Sequence, residues 1–424
     1  MLGLIVAAAL VATGCGSDDD DGGGGEAASS GGPVTIEWWH IANNEPLKSI
    51  WKDAADEYMA ANPNVKINIT VLENEAFKTK LTTTMQAGKV PDVFQSWGGG
   101  TLAEQAQAGL VQDITEPTSD WIGDLNEAGV GLYQVDGKQY GVPYNLGMVG
   151  VWYNKALFKK AGISEPPATW EDFLAAVEKL KAAGITPIAL GEKDKWPGMF
   201  WWANLSLRMA GGEGMQQAGE EGSFDSEPFV KAGEELKRLI DMDPFQDGFL
   251  GAPWDGAGGE AATMGNGRAA MDLMGQWAPF TFAANAKDEK PPEMGWFPFP
   301  TVEGGAGAPD EQFGGGDGWA VGKDAPPEAV DFIRHLVATD VANKAGASGA
   351  ILPVLKGSES SVKDPNMKAV LDTRAEASYV QLYLDQAYPP AVGQAVNDAV
   401  QGLFAGKSAP EDVAKTIADA AKAG

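Results

Sequence analysis

The run Val142-Pro-Tyr-Asn-Leu-Gly-Met-Val-Gly-Val-Trp-Tyr-Asn-Lys155 constrains the fold more than any other stretch of this chain. It follows a hairpin signal, Asp136-Gly137 between apolar and aromatic residues, which predicts a type I′ turn. Pro143 is expected to interrupt local pairing, and the chain then runs extended through Val149, Val151 and Tyr153. Asn154 stands where it can cap a short helix beginning at Lys155. Such a strand reads as leaving one lobe and entering a second. Tyr144 and Asn145 would then lie at the mouth of a cleft between lobes, a preferred place for ligands. An ordinary core strand with an aromatic corner has the same local pattern.

The segments before it alternate between two periods. Val34, Ile36 and Trp38 alternate as a strand that ends in Trp38-Trp39-His40. Pro46 opens a helix whose face is Leu47, Ile50, Trp51, Ala54, Tyr58 and Met59. Val65, Ile67, Ile69 and Val71 form a second strand, and Phe77, Leu81 and Met85 a second helical face that Gly88 stops. Pro91-Asp-Val-Phe94 is a short strand running into Gln95-Ser-Trp-Gly-Gly-Gly100. In an open α/β sheet, ligands bind beyond the carboxyl ends of the strands. That rule puts His40, Asn43, Asn44 and Glu45 on one rim with Gln95, Ser96 and Trp97. The glycine run lacks the Gly-Lys-Ser/Thr ending and positive charge of a phosphate loop, and no other cofactor motif is present.

After residue 155 the helix-strand alternation resumes. Thr169 is an N-cap with Asp172 three residues on, ahead of the face Phe173, Leu174, Val177 and Leu180. Trp196-Pro-Gly-Met-Phe-Trp-Trp202 brings three tryptophans into seven residues, as core or as a stacking wall. Trp254-Asp255 sits in glycine-rich sequence, and Arg268 to Trp277 reads as a strand ending in glycine and an aromatic. Gly295-Trp-Phe-Pro-Phe-Pro300 reads as an extended crossing back to the first lobe. Phe313-Gly-Gly-Gly-Asp-Gly-Trp319 places Asp317 and Trp319 among glycines, and helices close the chain. The expected division is 33–143 with 294–339 for the first lobe and 144–293 with 340–424 for the second.

Net charge is −28, which argues against nucleic acid or an anionic membrane surface as partner, since both call for basic patches. Residues 2–12 are an apolar run too short to span a bilayer as a helix, and they read as the h-region of a signal peptide over 1–14. No lysine or arginine precedes Lys48, so the usual basic n-region is missing. Ala12-Thr-Gly-Cys15 resembles a bacterial lipobox, in which the cysteine becomes the lipidated N-terminus, although Ala12 stands where leucine is usual. Cys15 is the one cysteine, so there is neither an intrachain disulfide nor a thiolate metal cluster. Residues 15–32, rich in glycine, serine and aspartate, read as a flexible tether.

The order of these pieces resembles a known family. Trp39-His40, Pro91-Asp-Val-Phe, Val142-Pro-Tyr, Trp152-Tyr-Asn-Lys, Met271-Asp-Leu-Met-Gly-Gln-Trp and Phe313-Gly-Gly-Gly-Asp-Gly-Trp, followed by a helical tail, are similar in order to the family 1 extracellular solute-binding proteins of ABC importers. That group includes the maltose-binding protein, and the likeness is greatest to actinobacterial xylobiose and oligosaccharide binders. The resemblance covers the chain after residue 33. It implies a periplasmic-binding-protein-like fold of two α/β lobes joined by hinge crossings, closing on a sugar. It implies a monomer without enzymatic activity or cofactor. Held at the outer face of the cytoplasmic membrane by its lipid alone, it would hand a carbohydrate to permease subunits. By position, Trp277 matches a second-lobe aromatic that stacks on sugar in the family, Trp201 and Trp202 lie where another such wall occurs, and Gln95 and Ser96 lie in the first-lobe contact loop. Gly147 stands where the family has an acidic contact, so the ligand is not expected to be held as maltose is.

Carbohydrate suits the residue types. A pyranose has an apolar C–H face for aromatic rings and hydroxyls that need donors and acceptors. Trp97, Trp201, Trp202, Trp254, Trp277 and Trp319 offer the first, and Asp317, Glu45, Asn44, Asn145, Gln95, Ser96 and His40 the second. A secreted glycoside hydrolase is the alternative, with Asp255 and Asp317 as its carboxylate pair. A zinc hydrolase lacks ligands, since the two histidines are far apart and no HExxH occurs. An adhesin or structural lipoprotein would not need a closing cleft.

Overall fold

The computed structural model describes residues 32–423. The expected signal peptide, the lipidation site Cys15 and all but the last residue of the expected tether lie outside the described residues. Nine strands form the main sheet: β1 (Val34–His40), β2 (Val65–Val71), β3 (Val93–Ser96), β4 (Gly141–Asn154), β5 (Thr186–Ile188), β6 (Ala269–Gly275), β7 (Met294–Pro298), β8 (Glu311–Val321) and β9 (Tyr379–Leu382). Their order is β2-β1-β3-β8-β4-β6-β5, with β9 paired to β8 and β7 to β4.

β4 is the crossing strand that its sequence predicts. Residues up to Met148 pair antiparallel with β8, and residues from Val149 on pair with β6 and β7. The hairpin before it turns on Asp136 and Gly137, both at positive φ, as a type I′ turn requires. Asn154 caps the helix Lys155–Lys160 by accepting from the N–H groups of Ala156 and Leu157. Thr169 caps Trp170–Ala182 in the same way, taking the Asp172 N–H. Pro143 does not interrupt pairing. The register shifts between Asp317 and Gly318, whose partners are Asn145 and Pro143, and this irregularity accommodates a residue without an N–H.

Apolar residues gather into cores that divide the chain at other points than expected. The first-lobe clusters run from Ile36 to Leu146 and return from Trp319 to Val354. The second-lobe cluster runs from Met148 to Phe313 and resumes at Leu352. The crossing back is therefore β8, not residues 295–300. Trp296 and Phe297 face the second-lobe core because β7 pairs with the far half of β4, where Gly150 leaves room for the Trp296 indole. Val341 and Ala345 of the helix Thr339–Ala347 join the first-lobe core. Among the described residues, no helix is long and apolar enough to cross a membrane.

Candidate functional site

A cleft opens where the two sets of strand ends meet. The first lobe contributes Ala42 to Asn44 after β1, Trp97 after β3, Tyr144 and Asn145 from β4, and Asp317 from β8. The second lobe contributes Trp196 and Phe200 from the helix Trp196–Glu221, Trp254 and Asp255, Gln276 and Trp277 after β6, and Tyr383 after β9.

The aromatic wall is continuous on the second-lobe side. Tyr383 stacks on Phe200 with centroids 5.5 Å apart, and Trp277 lies 6.1 Å from Tyr383 and 6.4 Å from Trp196. Trp254 packs edge-on against Trp196 at 5.8 Å. Such a wall offers ring faces and edges to a ligand with apolar C–H surface.

The floor is polar. Asp317 accepts from Asn145 at 2.6 Å and from Gln95 at 2.9 Å. Gln95 in turn accepts from the Tyr144 hydroxyl at 3.1 Å, and Tyr144 stacks on Trp319 at 4.7 Å. Burial pushes the Asp317 carboxyl up to about 6, against these hydrogen bonds, which favour its charged form. At the mouth, Asp255 accepts from Asn285 at 2.6 Å within its own lobe and from Asn44 at 3.1 Å across the gap.

Of the residues singled out from sequence, the fold brings Asn44, Trp97, Tyr144, Asn145, Trp254, Trp277 and Asp317 together on the cleft. Asn43, Trp196 and Asp255 line it too, whereas His40, Gln95, Ser96 and Trp319 stand behind it and Glu45 lies outside it. His40 is buried against Trp38, its Nδ1 accepts from the Ala42 N–H, and burial lowers its pKa to about 3, so it is a neutral support for the loop above. Gln95 and Trp319 act through Asp317 and Tyr144. Ser96 accepts from the Gly98 N–H and shapes the turn that presents Trp97. Glu45 is exposed and accepts from the Ser49 N–H in the first helix.

Trp201 and Trp202 are core residues, not a wall. They are 1% and 0% exposed and pack on Phe173, Phe299 and Phe229. Their segment is helical, and a helix turns successive side chains by about 100°. Trp196 and Phe200, four apart, face the cleft, so the next two positions point into the lobe. That i, i+4 spacing was a usable signal for Trp196 and Phe200. Tyr383 carries no comparable local mark. Gln276 carries none either. It fills the space that glycine leaves at position 147, where a Cβ would come within 1.7 Å of its Oε1. Its Oε1 is buried without a hydrogen-bond partner.

Comparison with known proteins agrees with this geometry. The profile of the bacterial extracellular solute-binding protein family matches residues 42–343. A probable sugar-binding periplasmic protein of Mesorhizobium japonicum is 28% identical over 81% of this chain and 82% of its own. A structure described under xylan utilisation by the thermophilic bacterium Caldanaerobius polysaccharolyticus superposes with a TM-score of 0.84 at 30% identity, covering 91% of this chain and 99% of that one. A chitin oligosaccharide binding protein superposes with a TM-score of 0.83 at 27% identity, covering 93% and 100%. These relatives do not support the glycoside hydrolase alternative.

Proposed function

The chain belongs to the family of bacterial extracellular solute-binding proteins, and from that premise we propose that its cleft holds a di- or oligosaccharide. The protein is the sugar-binding component of an ABC importer and is not an enzyme. The observation that carries the finer reading is the pairing of a continuous aromatic wall with a hydrogen-bonded carboxylate floor across the lobe boundary. Trp277 stacks on a sugar ring from the second lobe, and Asp317 takes sugar hydroxyls from the first. Asn145 and Gln95 hold that carboxylate in place, so a ligand hydroxyl meets an oriented acceptor. The protein works as a monomer, anchored through lipid on Cys15 at the outer face of the cytoplasmic membrane.

A thermal-shift screen of mono- and oligosaccharides tests the ligand class, because a molecule that binds only the native state raises the melting temperature. Neutral oligosaccharides should raise it and remain intact after incubation. A screen in which no saccharide moves the transition would sink the reading. Mass spectrometry of the membrane fraction tests the anchor: an intact Met1–Cys15 segment on an unlipidated chain would overturn it. Sedimentation at working concentration tests the monomer, and a stable dimer would overturn that.

A further inference from the structure

The charged groups lining the cleft are unbalanced. Four are carboxylates, Glu73, Asp255, Asp317 and Asp385, and one is an ammonium, Lys78. Lys78 is already engaged, with its Nζ 3.4 Å from Glu75 and 3.6 Å from Asp385, beside the Trp97 ring. No arginine or histidine lines the cleft among the described residues. The carboxylates are spread around it: Asp317 on the floor, Asp255 at the mouth, Glu73 on the first lobe and Asp385 on the second. Several of the remaining polar groups are already committed or are acceptors. Asn44 is committed to Asp255 and Asn145 to Asp317, while the orphaned Gln276 Oε1 is itself an acceptor.

Resting on the carbohydrate reading above, we propose that the cleft admits uncharged saccharides and excludes those bearing a carboxylate. Oligosaccharides containing a uronic acid are rejected on charge. Away from Lys78, a ligand carboxylate in this cleft faces protein carboxylates with no guanidinium to offset them. Like charges a few ångströms apart in a partly desolvated cleft repel strongly enough to cost about tenfold or more in affinity. Ligand hydroxyls, by contrast, donate to the same carboxylates. One set of groups therefore both attracts the neutral sugar and repels the acidic one, which is how specificity as a difference of affinities is built.

The test compares short neutral xylo- and chito-oligosaccharides with the same chains carrying one glucuronic acid, by calorimetric titration at low and at high salt. The neutral sugar should bind at least about tenfold more tightly, and the gap should narrow at high salt, because screening weakens charge repulsion and leaves steric exclusion untouched. The gap should also narrow in the Glu73→Gln/Asp385→Asn variant. Equal affinity for neutral and acidic sugars would overturn the proposal while leaving the carbohydrate reading intact. A gap indifferent to salt would overturn it too, by assigning the discrimination to shape, and this arm needs no variant to fold. Failure of every saccharide to bind would remove both the proposal and the reading beneath it.

Discussion

The indole of Trp277 lies directly over Gly275, in space that a side chain at 275 would occupy: a Cβ there would fall 2.1 Å from the ring. The glycine that ends β6 thus sets the height of the aromatic proposed to stack on sugar. Trp277→Ala is expected to weaken sugar binding about ten- to a hundredfold, the equivalent of about 1–3 kcal/mol of lost aromatic burial. Gly275→Ala should weaken it as well by displacing the ring. Because Trp277 is only partly buried, the melting temperature of the ligand-free protein should change little in Trp277→Ala. Unchanged affinity in both variants, by calorimetry, would remove Trp277 from the site.

Trp202 should behave in the opposite way. It is fully buried against Phe229, so Trp202→Ala opens a cavity and is expected to cost about 3–5 kcal/mol of stability. Chemical denaturation measures this directly. A loss under about 1 kcal/mol, together with loss of sugar binding, would return Trp202 to a ligand wall.

Sugar affinity should rise with pH from 5 to 7. Burial holds the Asp317 carboxyl at about 6, and hydroxyls donating to it favour its charged form. Binding therefore lowers its pKa and releases protons as the ligand enters. Titrations in buffers of different ionisation enthalpy should detect that release near pH 6, and Asp317→Asn should abolish it. An affinity flat across this range in the wild type would mean that Asp317 does not receive ligand hydroxyls.

Three more carboxyls, Glu192, Glu260 and Asp272, are buried within the second lobe. Burial raises all three, Asp272 to about 7, and the Asp272 carboxylate beside it raises Glu260 as well. A carboxyl whose folded pKa lies above its unfolded value binds more protons when folded. The Asp272 contribution is therefore fully present below its unfolded value near 3.8 and is lost as pH rises to about 7. The ligand-free protein is expected to melt at progressively lower temperature between about pH 4 and 7, and Asp272→Asn should flatten that slope. A melting temperature that climbs with pH through this interval would contradict the assignment.

The Asn44–Asp255 contact joins the lobes across the mouth at 3.1 Å. One such partly exposed bond stabilises the closed arrangement by about 1 kcal/mol. Asn44→Ala should therefore raise the ligand dissociation rate about fivefold, which stopped-flow fluorescence of the cleft tryptophans can follow. An unchanged dissociation rate would show that this contact does not latch the cleft.

Much of this molecule is written locally. The type I′ turn at Asp136-Gly137, the caps at Asn154 and Thr169, and the alternating and helical faces of the first lobe depend on residues a few positions apart, and the sequence determined them by itself. The ordered motifs likewise determined the family and the crossing strand β4. Tertiary structure decided which side of each element became the site. Trp196 and Trp202 belong to one helix and have the same chemistry, and only the packing of Phe229 against one face and the opening of the cleft at the other separates wall from core. Gln95 meets Asp317 from 222 residues away, and Gln276 occupies the space left at Gly147. Such partners are chosen by which surfaces bury one another when distant strands pair, and no window of local sequence contains that choice.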